Sequence, residues 1–155
     1  MSPDLRQELK QEKPVRSLHQ EAQLNLVRTA NLLVDRFEQM LKPYGITATQ
    51  YNVLRILRGA EPAGLCRHEV SARLLNRMPD ATRLLDRMED AGLVTRARGT
   101  EDRRMVKTHI TGKGLELVDS LDETVEAEHL KRLGHLSGEQ LATLVDLMTL
   151  VRSGG

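Results

Sequence analysis

The chain has 155 residues and one cysteine, Cys66, so it is long enough for one domain with helical extensions and cannot form an intrachain disulfide. The formal net charge is only +1, but residues 67–114 hold 11 basic and 7 acidic side chains, whereas residues 115–155 hold 3 basic and 8 acidic ones. This asymmetry indicates that the middle of the chain meets a polyanion; on charge alone, chance clustering on a solvated surface is the alternative.

The first 16 residues are polar and include Pro3 and Pro14, and we expect them to form a flexible arm that could contain a short helical turn. They lack the apolar segment of a signal peptide, and no apolar run in the chain approaches the roughly 18 residues that a membrane span needs. Because a single cysteine also suits a reducing compartment, these features predict a cytoplasmic protein with no membrane partner.

Residues 17–44 are predicted to form a long helix that is apolar on more than one side. Its two neighbouring stripes are Leu26, Ala30, Leu33, Phe37 and Leu41 on one side, and Leu24, Val27 and Val34 beside them. Such a helix must be covered on more than one side, so part of it is expected to face a second chain. The turn Pro43-Tyr44-Gly45 ends it.

Two helices are predicted next. Thr47 and Gln50 have the spacing of a capping box and begin the first of them. The apolar residues on its inward face are Tyr51, Leu54 and Leu57. A short helix follows over about residues 67–75, with a weak start because neither Cys66 nor Arg67 is a good capping residue.

A further helix is predicted in "MPDATRLLDRMEDAGLV". Pro79 suits its first position, Asp80 suits the positive end of its dipole, and Gly92 suits the position after its C-terminus. Its inward face consists of Ala81, Leu84, Leu85 and Met88. Thr82 and Arg83 then occupy the exposed N-terminal half, where they can hydrogen-bond to bases or phosphates.

The stretch "RARGTEDRRMVKTHITGKG", residues 96–114, is dense in basic side chains around a turn-forming run. Residues 94–98 and 105–110 alternate in polarity and predict two strands of a β-hairpin, joined by residues 99–104. After the hairpin, Thr111 and Ser137 are good N-caps for two final helices, and Gln140 gives Ser137 the spacing of a capping box. These helices carry most of the acidic excess.

This order of elements predicts a mostly α fold with a small β-hairpin. A short helix, a tight turn and a longer helix form a helix-turn-helix, and the hairpin after it forms a wing. The predicted organisation is a winged helix-turn-helix over residues 45–110, flanked by helices over 17–44 and 111–155. The second helix of such a motif fits the major groove of DNA, and a narrow hairpin tip fits the minor groove, whose potential attracts arginine.

Two long stretches, "GITATQYNVLRIL" (45–57) and "TRLLDRMEDAGLVTRARGTEDRRMVKTHITGKG" (82–114), carry a resemblance to a known family. With the Asp-x-Arg pattern of Asp102 and Arg104, they resemble the MarR family of bacterial transcription regulators over about residues 17–151. The sequence departs from the family at "CRHE", where a Ser or Thr cap is common, and residues 1–16 lie outside the match.

The resemblance implies a sequence-specific DNA-binding regulator, a repressor that binds a pseudo-palindromic operator as a homodimer and is released by a small anionic or lipophilic effector. It implies that residues 17–44 and 111–155 are dimerisation helices that intertwine with those of the partner. It also implies that Arg104 enters the minor groove and that Asp102 orients the wing.

The candidate DNA-contacting residues lie in the turn, in the second helix of the motif and in the hairpin. They are Arg77, Pro79, Asp80, Thr82, Arg83, Arg87, Arg96, Arg98, Asp102, Arg103, Arg104 and Lys107. The effector pocket, which the resemblance places between the dimer helices and the DNA-binding lobe, has Arg36, Phe37 and Tyr51 as candidates. We expect no cofactor and no catalytic residue, because no Ser/His/Asp set, Gly-rich phosphate loop or carboxylate motif is recognisable. We expect no metal site, because no His pair has i, i+4 spacing and no cysteine pair exists.

Several alternatives stay open from the sequence. The wing cations could merely solvate a hairpin, Asp80 could cap a helix instead of reading cytosine, and the effector candidates could be ordinary packing residues. Cys66 could make the chain a redox-responsive regulator of the same fold if its thiol were exposed and its pKa lowered. A helical protein-interaction module and an enzyme are the alternatives from other classes. The module would not need the basic hairpin.

Overall fold

The computed structural model of the chain describes residues 3–154 and is mostly helical, as predicted. Its helices are α1 (Pro3–Glu8), α2 (Leu18–Leu41), α3 (Ala48–Arg58), α4 (Arg67–Arg73), α5 (Thr82–Asp90), α6 (Gly112–Leu133) and α7 (Gly138–Ser153). Two antiparallel strands, β1 (Val94–Arg98) and β2 (Val106–Ile110), form the predicted hairpin. The chain divides into two compact units, Met1–Pro43 and Tyr44–Gly155.

The first unit contains α1 and α2. Helix α2 begins where the Gln20 N–H donates to Ser17 Oγ (3.2 Å). Arg28 Nε donates to Glu8 Oε2 (3.2 Å), which ties α1 to α2. Helix α1 thus gives regular structure to part of the segment expected as an arm. Several apolar side chains of α2 are exposed, namely Leu18, Val27, Leu32 and Val34.

The core of the second unit is formed by α3, α4, α5, the hairpin and α6. Its fully buried side chains include Val53, Leu54, Leu57, Val70, Leu85, Met88, Val94, Thr108, Val118 and Leu121. Arg58 of α3 binds Asp119 and Asp122 of α6, with Nη1–Oδ distances of 2.7 and 2.9 Å. Gly114 lets α6 start against the hairpin, because a Cβ there would overlap the Leu93 carbonyl oxygen.

Two helices start at the capping boxes that the sequence predicts. At α3, the Gln50 N–H donates to Thr47 Oγ1 (3.1 Å) and the Thr47 N–H donates to Gln50 Oε1 (3.0 Å). The same reciprocal pair forms between Ser137 and Gln140 at α7. Each pair satisfies two N–H groups that a helix start otherwise leaves without partners.

Helix α5 begins at Thr82, so the prediction that Pro79 occupies its first position is wrong. The Asp80 carboxylate accepts the Thr82 N–H (2.9 Å), and an aspartate that bonds two residues ahead favours a turn over a helix. Pro79 is exposed in the loop before α5. The predicted C-terminus is confirmed, because Gly92 has φ +72° and its N–H donates to the Glu89 carbonyl (2.9 Å).

Helix α4 begins at Arg67, as predicted, although Cys66 is a poor capping residue. Glu69 supplies the cap, because its Oε2 accepts the Cys66 N–H (2.7 Å). The helix ends at Arg73, earlier than predicted, since Leu74 has an extended backbone (φ −66°, ψ 143°).

The hairpin pairs Arg96 with Thr108 and Arg98 with Val106. Side chains alternate along a strand, so Arg96 and Arg98 share one face. On the other side of β2, Leu65 forms an antiparallel bridge with Thr108, with N–H to carbonyl distances of 3.1 and 2.7 Å. The base of the wing is therefore held by main-chain hydrogen bonds from both sides of β2.

Candidate nucleic-acid interface

Three side chains fix the start of α5. Thr82 Oγ1 donates to Asp80 Oδ1 (2.6 Å) and accepts from Arg67 Nη1 (2.8 Å). Arg67 Nε also lies 3.7 Å from Asp80 Oδ1. The hydrogen bonds from Thr82, with the nearby charge of Arg67, hold the pKa of Asp80 below its ordinary value. The Thr82 hydroxyl is therefore used within the protein, and the Asp80 carboxylate binds the first N–H group of α5 from the turn before it.

Arg83 and Arg87 lie one turn apart on α5, and both are exposed. Within residues 3–154, neither side chain has a hydrogen-bond or ion-pair partner. Residues four apart are neighbours on a helix surface, so the two guanidinium groups form a basic strip along α5. Arg77, in the loop before α5, is likewise exposed and unpaired in the described part of the chain.

Arg96 on β1 is bound by two carboxylates of α5. Its Nη2 donates to Asp86 Oδ1 (2.6 Å) and Glu89 Oε1 (3.0 Å), and its Nε donates to Glu89 Oε2 (3.3 Å). Only 29% of the Arg96 side chain is exposed. These hydrogen bonds raise the pKa of Arg96, and the bond to Glu89 has a larger effect than the bond to Asp86. The hydrogen bond from Arg96 in turn lowers the pKa of Glu89. We call these three residues the Arg96 clamp.

Lys107 on β2 lies on the opposite face of the hairpin, and its Nζ is 3.4 Å from Glu69 Oε2. The same oxygen accepts hydrogen bonds from the Cys66 N–H (2.7 Å) and thiol (2.8 Å). These contacts, led by that of the thiol, lower the pKa of Glu69 to about 2. An ionised carboxylate therefore joins the start of α4 to the wing.

Cys66 has little access to solvent, since only 6% of the residue is exposed. Its Sγ lies 3.3 Å from His68 Nδ1. Burial, followed by the hydrogen bond to Glu69, raises the pKa of the thiol. A reactive cysteine needs an accessible thiolate, so the structure argues against the redox-responsive alternative.

Asp102 shapes the tip of the wing through the main chain. Its Oδ1 accepts the Arg104 N–H (2.9 Å), and its carbonyl oxygen accepts the Met105 N–H (3.0 Å). The Asp102 carboxylate therefore binds the main chain of Arg104, and it binds no guanidinium among the described residues. The side chains of Arg98, Arg103 and Arg104 are exposed and have no partner among the described residues.

The candidate DNA-contacting residues thus fall into two groups. Six arginines are exposed and unpaired within residues 3–154; these free arginines are Arg77, Arg83, Arg87, Arg98, Arg103 and Arg104. The others, apart from the exposed Pro79, are engaged inside the protein: Asp80, Thr82, Arg96, Asp102 and Lys107. Contacts with DNA stay predictions for both groups, and an engaged side chain would first have to give up a partner.

Sequence reasoning missed two residues of this surface, Arg67 and Glu69. Glu69 stands three residues after Cys66, which is the position where a glutamate reaches back to the start of a helix, so its spacing could have revealed it. Arg67 meets Thr82 from 15 residues away. No local pattern reports that contact, because it depends on how α4 and α5 pack.

The structure gives the position of each of the three candidate residues of the effector pocket. Arg36 is exposed and Phe37 half-buried on α2, whereas Tyr51 is buried on α3, where burial raises the pKa of its hydroxyl. Their assembly into one effector pocket stays a prediction. Among residues 3–154, no group of three or more His, Cys, Asp or Glu side chains could hold a metal ion. Within the same range, no helix is long and apolar enough to cross a bilayer.

Comparison with known proteins places this arrangement among DNA-binding regulators. The sequence model described as the MarR family matches residues 46–106. The chain is 28% identical over 135 residues to the HTH-type transcriptional regulator FarR of Neisseria gonorrhoeae, covering 87% of this chain and 91% of FarR.

Solved structures agree with the sequence matches. A MarR transcription factor from Planctomyces limnophilus is 40% identical, with a TM-score of 0.66 and coverage of 88% of this chain and 99% of that chain. The repressor CouR, bound to a 23-mer DNA duplex, is 25% identical, with a TM-score of 0.75 and coverage of 92% and 99%. CouR from Rhodococcus jostii RHA1 has also been solved bound to p-coumaroyl-CoA.

Proposed function

The chain belongs to the MarR family of transcription regulators, and on that basis we propose that it represses transcription by binding double-stranded DNA as a homodimer. The observation that carries this proposal is the set of six free arginines on α5, in the loop before it and on the wing. Phosphate binding needs cations whose charge is not already neutralised by acids of the protein. None of the six free arginines forms an ion pair with an acid among the described residues, although the charge of Arg83 contributes to the lowered pKa of Asp80.

Helix α5 is the element that we assign to the major groove. Recognition helices contact base edges with their N-terminal residues, and Arg83 is the second residue of α5. An arginine there can bind guanine O6 and N7 with both arms of its guanidinium. Arg77 precedes the helix and Arg87 lies one turn further on, so both suit phosphates that flank the contacted bases.

The wing is the element that we assign to the minor groove. Asp102 holds the Arg104 N–H and thereby fixes the tip, while the Arg103 and Arg104 side chains stay unpaired within the described residues. Arginine enters a narrow minor groove because the negative potential there is enhanced, above all in A·T-rich DNA. Arg104 is accordingly expected to respond to groove width more than to individual bases.

Exposed apolar surface supports the homodimer. Helix α7, all of which is described, buries none of its residues, and Val145 and Leu150 are 63% and 66% exposed. Apolar patches of this kind mark association surfaces. We expect a dimer of about twice the 17.5 kDa chain mass in sedimentation, and we expect Val145→Glu with Leu150→Glu to give monomers. Val145→Ile is the conservative control and should stay dimeric; a charged double variant that sediments like the wild type would contradict this interface.

We propose release by a small anionic or lipophilic effector, as for a repressor of this family. CouR provides the analogy, since its structure is known with DNA and with p-coumaroyl-CoA. Arg36, Phe37 and Tyr51 stay the candidate residues. The check is a thermal-shift panel of aromatic acids and acyl thioesters, followed by competition with bound DNA. An effector of this class raises the midpoint of unfolding and lowers DNA affinity in the same concentration range.

The DNA-binding proposal is tested with the full chain and duplexes of about 25 bp. The wild type is expected to retard random duplex at low salt and to select a pseudo-palindrome with half-sites about one helical turn apart. The double variant Arg83→Ala/Arg104→Ala should lose most of that affinity. The control Lys42→Ala/Lys131→Ala also removes two positive charges, from exposed positions outside the proposed DNA-binding surface. It should bind DNA like the wild type. A wild-type chain that fails to bind any duplex at low salt would overturn the proposal.

We also propose that the chain is not an enzyme and that it acts in the cytoplasm. Its relatives by sequence and structure are named transcription regulators. A protein whose partner is chromosomal DNA works where that DNA lies. Co-purification of DNA with the protein from lysed cells, followed by sequencing, identifies both the partner and its operators.

A further inference from the structure

We propose that Arg96 is a positioning residue for DNA recognition: through Asp86 and Glu89 it fixes the wing against α5, so that Arg104 meets the minor groove while Arg83 faces the major groove. This inference rests on the proposed DNA-binding function. It assigns to Arg96 a role that differs from a phosphate contact, although Arg96 belongs to the same basic hairpin as Arg98 and Arg104.

The Arg96 clamp joins two different elements. Arg96 lies on β1, while Asp86 and Glu89 lie three residues apart on α5, as neighbours on the helix surface. The guanidinium makes three hydrogen bonds of 2.6, 3.0 and 3.3 Å to the two carboxylates. An arginine that bonds two acceptors through a rigid planar group restrains orientation as well as distance.

The charge of the clamp does not favour a DNA contact. One guanidinium faces two carboxylates, so the group carries a net charge of about −1, and like charges repel phosphate. By repulsion alone, two acids on the helix that approaches DNA weaken its association with DNA. Their hydrogen bonds to Arg96 supply a different contribution, because they determine where the wing stands.

Beyond the clamp, β1 is held by its pairing with β2, and Arg96 is the outermost residue of β1 whose side chain binds an element outside the hairpin. From residue 97 to residue 106 the chain is exposed, with Gly99 half-buried, and the described side chains of this segment other than Asp102 have no hydrogen-bond or ion-pair partner. At about 3.3 Å per residue, a tip four residues beyond Arg96 lies roughly 13 Å away, so a tilt of about 10° displaces it by about 2 Å. Such a displacement exceeds the tolerance of a hydrogen bond.

A double-mutant cycle on DNA binding tests this role. The probe is an operator selected by the wild-type chain, remade with A·T-rich and with G·C-rich flanks. Arg96→Ala is expected to weaken binding about tenfold on the A·T-flanked probe and to remove most of the preference for that probe. Once Arg96 is Ala, adding Arg104→Ala should change affinity less than twofold, because the tip is already misplaced.

Arg98→Ala is the matched control, since Arg98 shares the face of Arg96 and lacks the clamp. The fold-loss in affinity of Arg98→Ala should multiply with that of Arg104→Ala in the double variant. Arg98→Ala should also lower the slope of log affinity against log salt by about 0.9, as expected for a phosphate contact. If Arg96→Ala behaves in this additive way, or binds both probes like the wild type, the positioning role is wrong.

Asp86→Asn with Glu89→Gln provides a second variant that keeps the side-chain shapes if Arg96→Ala is too unstable. It removes two negative charges, so electrostatics alone predicts tighter binding to both probes. A positioning role predicts instead that the preference for A·T flanks falls at least threefold. Tighter binding with unchanged flank preference would overturn the inference, whereas a wild-type chain that binds neither probe would overturn the DNA-binding function itself.

Discussion

The base and the tip of the wing use the same residue types differently. At the base, Arg96 and Lys107 are paired with carboxylates of α5 and α4. Toward the tip, Arg98, Arg103 and Arg104 have no acidic partner among the described residues. A cation at the base therefore holds protein to protein, whereas a cation at the tip is available to another molecule. The count of basic residues in a hairpin does not reveal this division, because it depends on which acids the fold brings close.

The same division recurs along α5. Its start is fixed by Asp80 and Thr82, whose hydrogen bonds are made inside the protein. Arg83 follows them and has no hydrogen-bond or ion-pair partner in the described chain, although its charge helps to lower the pKa of Asp80. Residues that fix the geometry of the helix thus lie within a few positions of residues that are available to bind DNA. Stability and DNA affinity, measured on the same variants, separate these two roles.

Of all these variants, Met88→Ala should have the largest effect, which is a loss of stability. Met88 lies on the inward face of α5 and has no exposed surface. Removing a fully buried side chain of this size costs about 2–5 kcal/mol of unfolding free energy. Urea unfolding at fixed protein concentration measures this loss of unfolding free energy. The control is Arg87→Ala, at an exposed position one residue earlier, and its unfolding free energy should stay within about 0.5 kcal/mol of the wild type. Equal destabilisation by both variants would contradict the assigned faces.

Arg83→Ala should leave stability unchanged and weaken DNA binding by about 1–3 kcal/mol. Specificity should relax at one base pair of each half-site, because only one bidentate contact is lost. The measurement is affinity for the selected operator and for its single-base variants by fluorescence anisotropy. An Arg83→Ala protein with the wild-type preference at every position would exclude Arg83 from base recognition.

Arg98→Ala and Lys107→Ala should differ in their salt dependence. Each variant removes one positive charge from the hairpin, but Lys107 already lies 3.4 Å from a carboxylate of α4. Arg98→Ala should reduce the slope of log affinity against log salt by about 0.9, and Lys107→Ala should reduce it by less. A titration of operator binding across a salt series gives both slopes. Equal reductions would show that Lys107 leaves Glu69 when DNA binds.

Much of this fold could be predicted from local patterns. Apolar periodicity and the Thr47 and Ser137 capping boxes gave the helices, and the alternation after Gly92 gave the hairpin. The predicted start of α5 at Pro79 is wrong, because the Asp80 carboxylate binds the Thr82 N–H and forms a turn there. Pairing across elements, as between Arg96 and Glu89, could not be predicted, since it arises only when α5 packs against β1.

The smallest predicted effect is on the pH dependence of stability. It should come from Glu69 at the base of the wing and not from Glu101 at its tip. Glu69 Oε2 receives hydrogen bonds from the Cys66 N–H and thiol and lies near Lys107, which lowers its pKa from 4.5 to about 2. Protonating Glu69 is therefore harder in the folded chain than in the unfolded chain. Its contribution to stability is present above about pH 4.5 and is lost as the pH falls toward about 2.

Glu69→Gln removes this titration. The variant should be less stable than the wild type at neutral pH, and its unfolding free energy should fall less steeply between about pH 4.5 and pH 2. Glu101→Gln makes the same chemical change in the connection at the tip, where Glu101 is exposed and has no partner among the described residues, so it should follow the wild-type curve. Urea unfolding at several pH values in this window compares the three proteins. If the Glu69→Gln curve runs parallel to that of the wild type, the contacts of Glu69 do not persist in solution, and the base of the wing is held by main-chain pairing and the Arg96 clamp alone.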